Sequence, residues 1–159
     1  MMSRRAMQMK RAILSAALAV ALAAGTSAQD KPNFSGSWKP DPERSKTIGG
    51  LGPAQTITVE GSKMTVTITL AGNSDSTVYM LDGTPSKKTM KGQGGQPLEQ
   101  VYTSKWEGTV LVTTITTPGP NPMIEHRSIE ADGTMKVERT IVLKGNKPET
   151  MATVFKRIS

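Results

Sequence analysis

The residue types that could do chemistry are few. The chain has 159 residues, one histidine and no cysteine, so a thiol nucleophile, a thiolate metal site and a disulfide framework are all excluded. His126 stands in Ile124-Glu125-His126-Arg127. A histidine acting as catalytic base needs a nucleophile beside it and an acid to orient it. Serines and carboxylates are plentiful, but none sits in a recognisable setting, and His126 reads as a solvent-facing or hydrogen-bonded side chain at the edge of a strand. Zinc would have to be held by His126 and carboxylates alone, an unusual ligand set, and no run of acids has calcium-loop spacing. No metal and no cofactor are expected, no catalytic residue can be named, and the sequence leans away from an enzyme.

Other motifs are weaker. Gly49-Gly50-Leu51-Gly52 and Gly92-Gln93-Gly94-Gly95 are rich enough in glycine to suggest phosphate loops. Neither is followed by Lys-Ser/Thr and neither lies between a strand and a sustained helix, so both read as connectors. Glu99, Glu107, Glu125, Glu130 and Glu138 fall mostly on strands. Paired acids could serve glycoside chemistry if a cleft held them at matched spacing; solvated strand faces are the simpler reading. Lys87-Lys88 would discourage edge-to-edge pairing or keep a loop soluble. The aromatics Phe34, Trp38, Tyr79, Tyr102, Trp106 and Phe155 are not interleaved with basic residues as a base-stacking platform requires, and they suit a packed core.

The elements that would position these groups are strands. Ile57 and Val59 alternate with Thr56 and Thr58; Met64, Val66, Ile68 and Leu70 alternate with Lys63, Thr65, Thr67 and Thr69. Period two with β-branched residues marks half-buried strands with a threonine face. The pattern returns at Thr77-Tyr79-Leu81, Leu98-Tyr102-Trp106, Leu111-Thr113-Ile115 and Met135-Val137-Ile141-Leu143, and continues less clearly through 123–130 and 149–158. Gly61-Ser62, Gly72-Asn73, Asp82-Gly83, Glu107-Gly108, Asp132-Gly133 and Gly145-Asn146 separate the runs. Turns this short join antiparallel neighbours and leave no room for crossover helices. A short helical turn is expected at 42–47 and looser loops at 92–96 and 118–122. About ten strands in an unbroken meander predict an up-and-down barrel, since closure removes exposed edges.

Residues 1–28 read as a secretory signal. Arg4, Arg5, Lys10 and Arg11 form a basic start, residues 12–24 an uncharged alanine-rich run, and Thr26-Ser27-Ala28 supplies small residues for cleavage. The apolar run is shorter than the ~20 residues of a membrane span, so no stable membrane anchor is expected after cleavage and the mature chain is expected in the periplasm or secreted. One domain, 29–159, follows. The four basic residues of the leader account for part of the net charge of +7, leaving +3 for the remainder. Its basic residues are spread out, not gathered on one face, which argues against a nucleic-acid partner.

Asn33-Phe34-Ser35-Gly36-Ser37-Trp38-Lys39, with its Gly-x-Trp on the first strand, resembles the opening of the calycin superfamily, the lipocalins and fatty-acid-binding proteins. Extended through Pro40-Asp41-Pro42-Glu43-Arg44-Ser45, the stretch is similar to the start of secreted bacterial lipocalin-like proteins of unassigned function. Lys105-Trp106-Glu107-Gly108 is similar to a Lys-Trp-Asp-Gly turn of fatty-acid-binding proteins. The resemblance implies a calycin-like barrel of about 8–10 strands, closed at one end by Trp38 with a basic side chain over its ring. Arg139 and Arg157 are the candidates for that cation, and Gly36, Trp38 and Arg157 are assigned structural roles. Arg139 shares the alternation phase of Val137 and Ile141, which points it toward the core, where it needs a partner. The sequence departs from the family at Thr153-Val154-Phe155, where many fatty-acid-binding proteins carry Arg-x-Tyr to hold a ligand carboxylate. The segment between Lys39 and Gln55 is also short for their paired lid helices.

From this follows an expected carrier for a small apolar or amphipathic ligand, the interior being lined by Met64, Val66, Ile68, Tyr79, Gln100, Tyr102, Leu111, Val137, Arg139 and Phe155. A protein-binding or inhibitor module with a filled core is the alternative. An enzyme on the same scaffold would show a polar cavity gathering Arg139, Tyr102 and an acid. The state of the interior discriminates among the three; oligomeric state is not legible.

Overall fold

The computed structural model describes residues 30–119, 121–142 and 147–158. The leader read at 1–28, Leu143 and the turn Gly145-Asn146 lie outside the described residues, as does Pro120 within the 118–122 loop. The described chain is all-β. Its strands are β1 (Gly36–Pro40), β2 (Gln55–Glu60), β3 (Lys63–Leu70), β4 (Asn73–Met80), β5 (Ser86–Lys91), β6 (Pro97–Glu107), β7 (Val110–Thr116), β8 (Met123–Ile129), β9 (Met135–Val142) and β10 (Pro148–Ile158). A 3-10 turn spans Gln93–Gly95, and no helix among the described residues is long and apolar enough to cross a membrane.

Every pairing is antiparallel, in the order β4-β3-β2-β1-β10-β9-β8-β7-β6-β5. The first and last strands lie side by side, Trp38 opposite Arg157, and the sheet curls into a nearly closed barrel of ten strands. The alternation that marks β2 and β3 in the sequence follows from this. Ile57, Met64 and Val66 turn inward and are buried, while outward hydroxyls bond across strands, Thr67 to Ser76 at 2.8 Å and Thr69 to Ser74 at 2.9 Å. Between β3 and β4 the turn residues Ala71 and Gly72 have φ of 48° and 80°, both positive, as the two-residue hairpin turn matching strand twist requires.

One expectation is revised, and the two alternatives for Lys87-Lys88 narrow to a strand at the end of the sheet order. Residues 42–44 form a hydrogen-bonded turn, not a helix; Ser45 Oγ accepts from the Val154 amide and donates to the Asp41 carbonyl, which ties the turn to β10. Lys87-Lys88 lies in a regular strand, β5, paired with β6 from Ser86↔Tyr102 to Lys91↔Pro97. β4 and β5 are the two ends of the sheet order, and side chains bridge the seam between them. Ser86 Oγ donates to the Val78 carbonyl, and Lys88 Nζ reaches Asp75 Oδ2 at 2.5 Å and Thr77 Oγ1 at 2.9 Å.

One end of the barrel is plugged. Trp38 is fully buried and its Nε1 donates to the Phe34 carbonyl at 2.9 Å. Arg157, not Arg139, lies over its ring, 4.3 Å from guanidinium carbon to centroid, and also donates to the Ser35 carbonyl. Phe34 continues the plug by stacking on Trp106 at 5.9 Å, the planes 3° apart.

Candidate functional site

Beyond the plug the barrel is hollow. A cavity of about 310 Å³ opens toward the connector before β2, a size at the low end of small-molecule sites, ~300–1,000 Å³. Its wall follows from period-two geometry on five strands: Val66 and Ile68 on β3, Asp75, Thr77 and Tyr79 on β4, Arg127 on β8, Val137 and Arg139 on β9, and Met151, Thr153 and Phe155 on β10. Gln55 enters from the start of β2. Thr47, Ile48, Gly50, Gly52 and Pro53 form the rim, with Ile48 59% exposed. The glycine-rich stretch read as a connector is thus also one lip of the cavity.

The wall has an apolar side and a charged side. On the charged side Glu125 is buried behind two arginines. Its Oε1 accepts from Arg127 Nη2 at 2.9 Å and its Oε2 from Arg139 Nε at 2.8 Å. Register makes this possible, since Glu125 pairs with Arg139 and Arg127 with Val137 across β8 and β9. Burial alone would raise the Glu125 carboxyl; the guanidiniums of Arg127 and Arg139 more than offset it, and the group is held below its ordinary range. Arg127 is as buried as Glu125, whereas the Arg139 side chain is 47% exposed, toward the cavity.

Arg127 also contacts Met135 Sδ at 3.5 Å and lies 5.6 Å from the Tyr79 ring centroid. Tyr79 packs edge-on against Tyr102, centroids 5.3 Å apart. Burial, reinforced by the nearby Glu125 charge, pushes both phenols above their ordinary value, so both are neutral. Two buried donors on the wall, Arg127 Nε and Gln55 Nε2, have no acceptor among the described residues. Unpaired buried donors are costly, and both atoms are closed off from the cavity space as well.

Of the residues expected to line the interior, Val66, Ile68, Tyr79, Val137, Arg139 and Phe155 meet around this cavity. Met64 and Leu111 point inward but are packed solidly in the core. Tyr102 lies behind Tyr79 and donates to Gln100 Oε1 at 2.7 Å; neither Tyr102 nor Gln100 is on the cavity wall. Arg139 does point inward, with Glu125 as the partner it needs. Arg127, Gln55, Met151 and Thr153 were not anticipated. The signal for Arg127 was present: it stands two residues from Glu125, so on a strand the two must share a face while His126 takes the other. Among the described residues no group of three or more His, Asp or Glu is placed to hold a metal.

Solved structures with this architecture include one titled "REP1-NXSQ fatty acid transporter", 16% identical, with a TM-score of 0.58 over 79% of this chain and 96% of that one. A point mutant of the same transporter is 15% identical, with a TM-score of 0.52 over 78% of this chain and 97% of that one. At that identity the likeness is one of fold. No family model matches the chain, and no curated protein does.

Proposed function

We propose that this protein is an exported, lipocalin-like carrier that takes a small amphipathic molecule into the barrel, its apolar part along Val66, Ile68, Val137 and Phe155 and its polar end at Arg139. The cavity with a half-exposed guanidinium on its wall carries the reading. Each ligand CH₂ withdrawn from water contributes ~0.8 kcal/mol, and a few fixed polar groups set orientation. That solved neighbours of the fold are titled fatty acid transporters is in keeping with an apolar cargo. The export reading rests on the basic and alanine-rich pattern of residues 1–28.

A protein-binding module with a filled core finds less support, because the interior is hollow. The enzyme reading needed Arg139, Tyr102 and an acid together on a polar cavity. Here Tyr102 is behind the wall, and the acid on the wall, Asp75, is engaged by Lys88. Native mass spectrometry of protein purified from its own host's envelope or medium tests the proposal. A retained amphipathic molecule, lost on delipidation and restored stoichiometrically, is expected. A barrel that comes out empty, and that fails to bind an environment-sensitive apolar dye competitively, would overturn it.

A further inference from the structure

The charged side of the cavity is unbalanced in a definite way. Two guanidiniums, Arg127 and Arg139, face one carboxylate, Glu125. The other charged pair on the wall side, Lys88 with Asp75, is internally neutral. Tyr79 on the wall and Tyr102 behind it carry no charge. Among the described residues, one unit of positive charge is therefore left over. Glu125 itself is 1% exposed and does not reach the cavity wall; each of its oxygens is taken by a different arginine.

Resting on the carrier reading above, we propose that Glu125 is a specificity-determining residue that sets the charge of the accepted headgroup at one: the cavity takes a singly charged acidic amphipath in preference to a doubly charged or a neutral one. A monoanion beside Arg139 neutralises the excess. A dianion reverses the sign of the excess, and a neutral head leaves it standing. Charge imbalance inside a concave, weakly polar wall is more expensive than in water. Glu125 acts through the arginines, as a positioning residue, by cancelling one of their two charges and fixing both side chains.

The test uses one alkyl chain with three heads, as laurate, lauryl phosphate and lauryl alcohol, competing with an apolar dye at about pH 8, where a phosphate monoester, with its second pKa of about 6, is a dianion. Wild type should bind laurate on the order of tenfold more tightly than either of the others, the scale of one charge–charge interaction screened nearly as in water, as suits the half-exposed Arg139. Glu125→Gln should shift the laurate-to-phosphate ratio on the order of tenfold toward phosphate, while Glu125→Asp keeps the wild-type order. Should Glu125→Gln not fold, Arg139→Gln, which alters a half-exposed group, serves instead; it removes the excess and should move preference toward the alcohol. Equal binding of all three heads by wild type, or a folded variant with the wild-type ratio, overturns the headgroup rule and leaves the carrier. Binding of none of the three overturns the carrier and the rule together.

Discussion

Gly36→Ala is the most demanding probe of the plugged end. Gly36 has φ +136°, and an added Cβ would lie 2.3 Å from Arg157 Nη1, so the change acts twice. Backbone strain at a position essentially reserved for glycine costs ~1–3 kcal/mol. The guanidinium must also swing off Trp38, forfeiting a cation–π contact worth ~0.5–2 kcal/mol and a hydrogen bond to the Ser35 carbonyl worth ~0.5–1.5 kcal/mol. Together these give about 2–6.5 kcal/mol, against a domain stability of ~5–15 kcal/mol. Arg157→Ala alone removes only the second part. In the double variant no guanidinium is left to displace, so Gly36→Ala then costs the backbone strain alone. Urea unfolding of the four proteins, followed by tryptophan fluorescence, should therefore show a double variant more stable than additivity predicts by ~1–3.5 kcal/mol. Additivity within ~0.5 kcal/mol, or a Gly36→Ala protein that unfolds like wild type, would refute the coupling of glycine, arginine and tryptophan.

Trp38→Ala should cost ~3–5 kcal/mol as a buried large-to-small change, leaving a protein that is unfolded or melts far below wild type; an unchanged melt would mean that the plug carries no stability. Asp132 is held at about 2 by hydrogen bonds from the Thr134 side chain and backbone amide and by Arg44, while in the unfolded chain it returns toward 3.8. Its contribution is thus present above the unfolded value and is lost as pH falls from there toward the folded one. Acid titration of stability should be shallower through that window in Asp132→Asn than in wild type, and parallel curves would rule the contribution out. Intact-mass measurement of exported material should find a chain beginning at or near Gln29; a cytoplasmic precursor as the main species would defeat the export reading.

The features legible without a structure are those that depend on neighbours along the chain. Side-chain alternation is a property of one strand, so Ile57, Met64, Val66, Val137 and Arg139 could be assigned to the inner face without knowing what lay opposite. Turn residues marked where strands end, while the plug at Trp38 was implied by the resemblance of the Gly-x-Trp opening to the calycin superfamily. Strand β5 escaped because Ser-Lys-Lys-Thr-Met-Lys has no apolar alternation; its conformation comes from pairing with β6, a partner the local pattern does not name. The height of each inward residue along the barrel, by contrast, belongs to the tertiary structure. Met64 and Leu111 share the inward phase of Val66 and Val137, yet the first two pack in the core and the last two face the cavity. Phase says inside or outside, whereas strand tilt and register set the level along the barrel. The same holds for the charges. Arg157 covers Trp38 and Arg139 turns to Glu125 because β1 lies against β10 in one register and β8 against β9 in another. The first pairing joins residues far apart in the chain and exists only once the sheet has curled and brought its first and last strands together, whereas the second is set by the register of the β8–β9 hairpin.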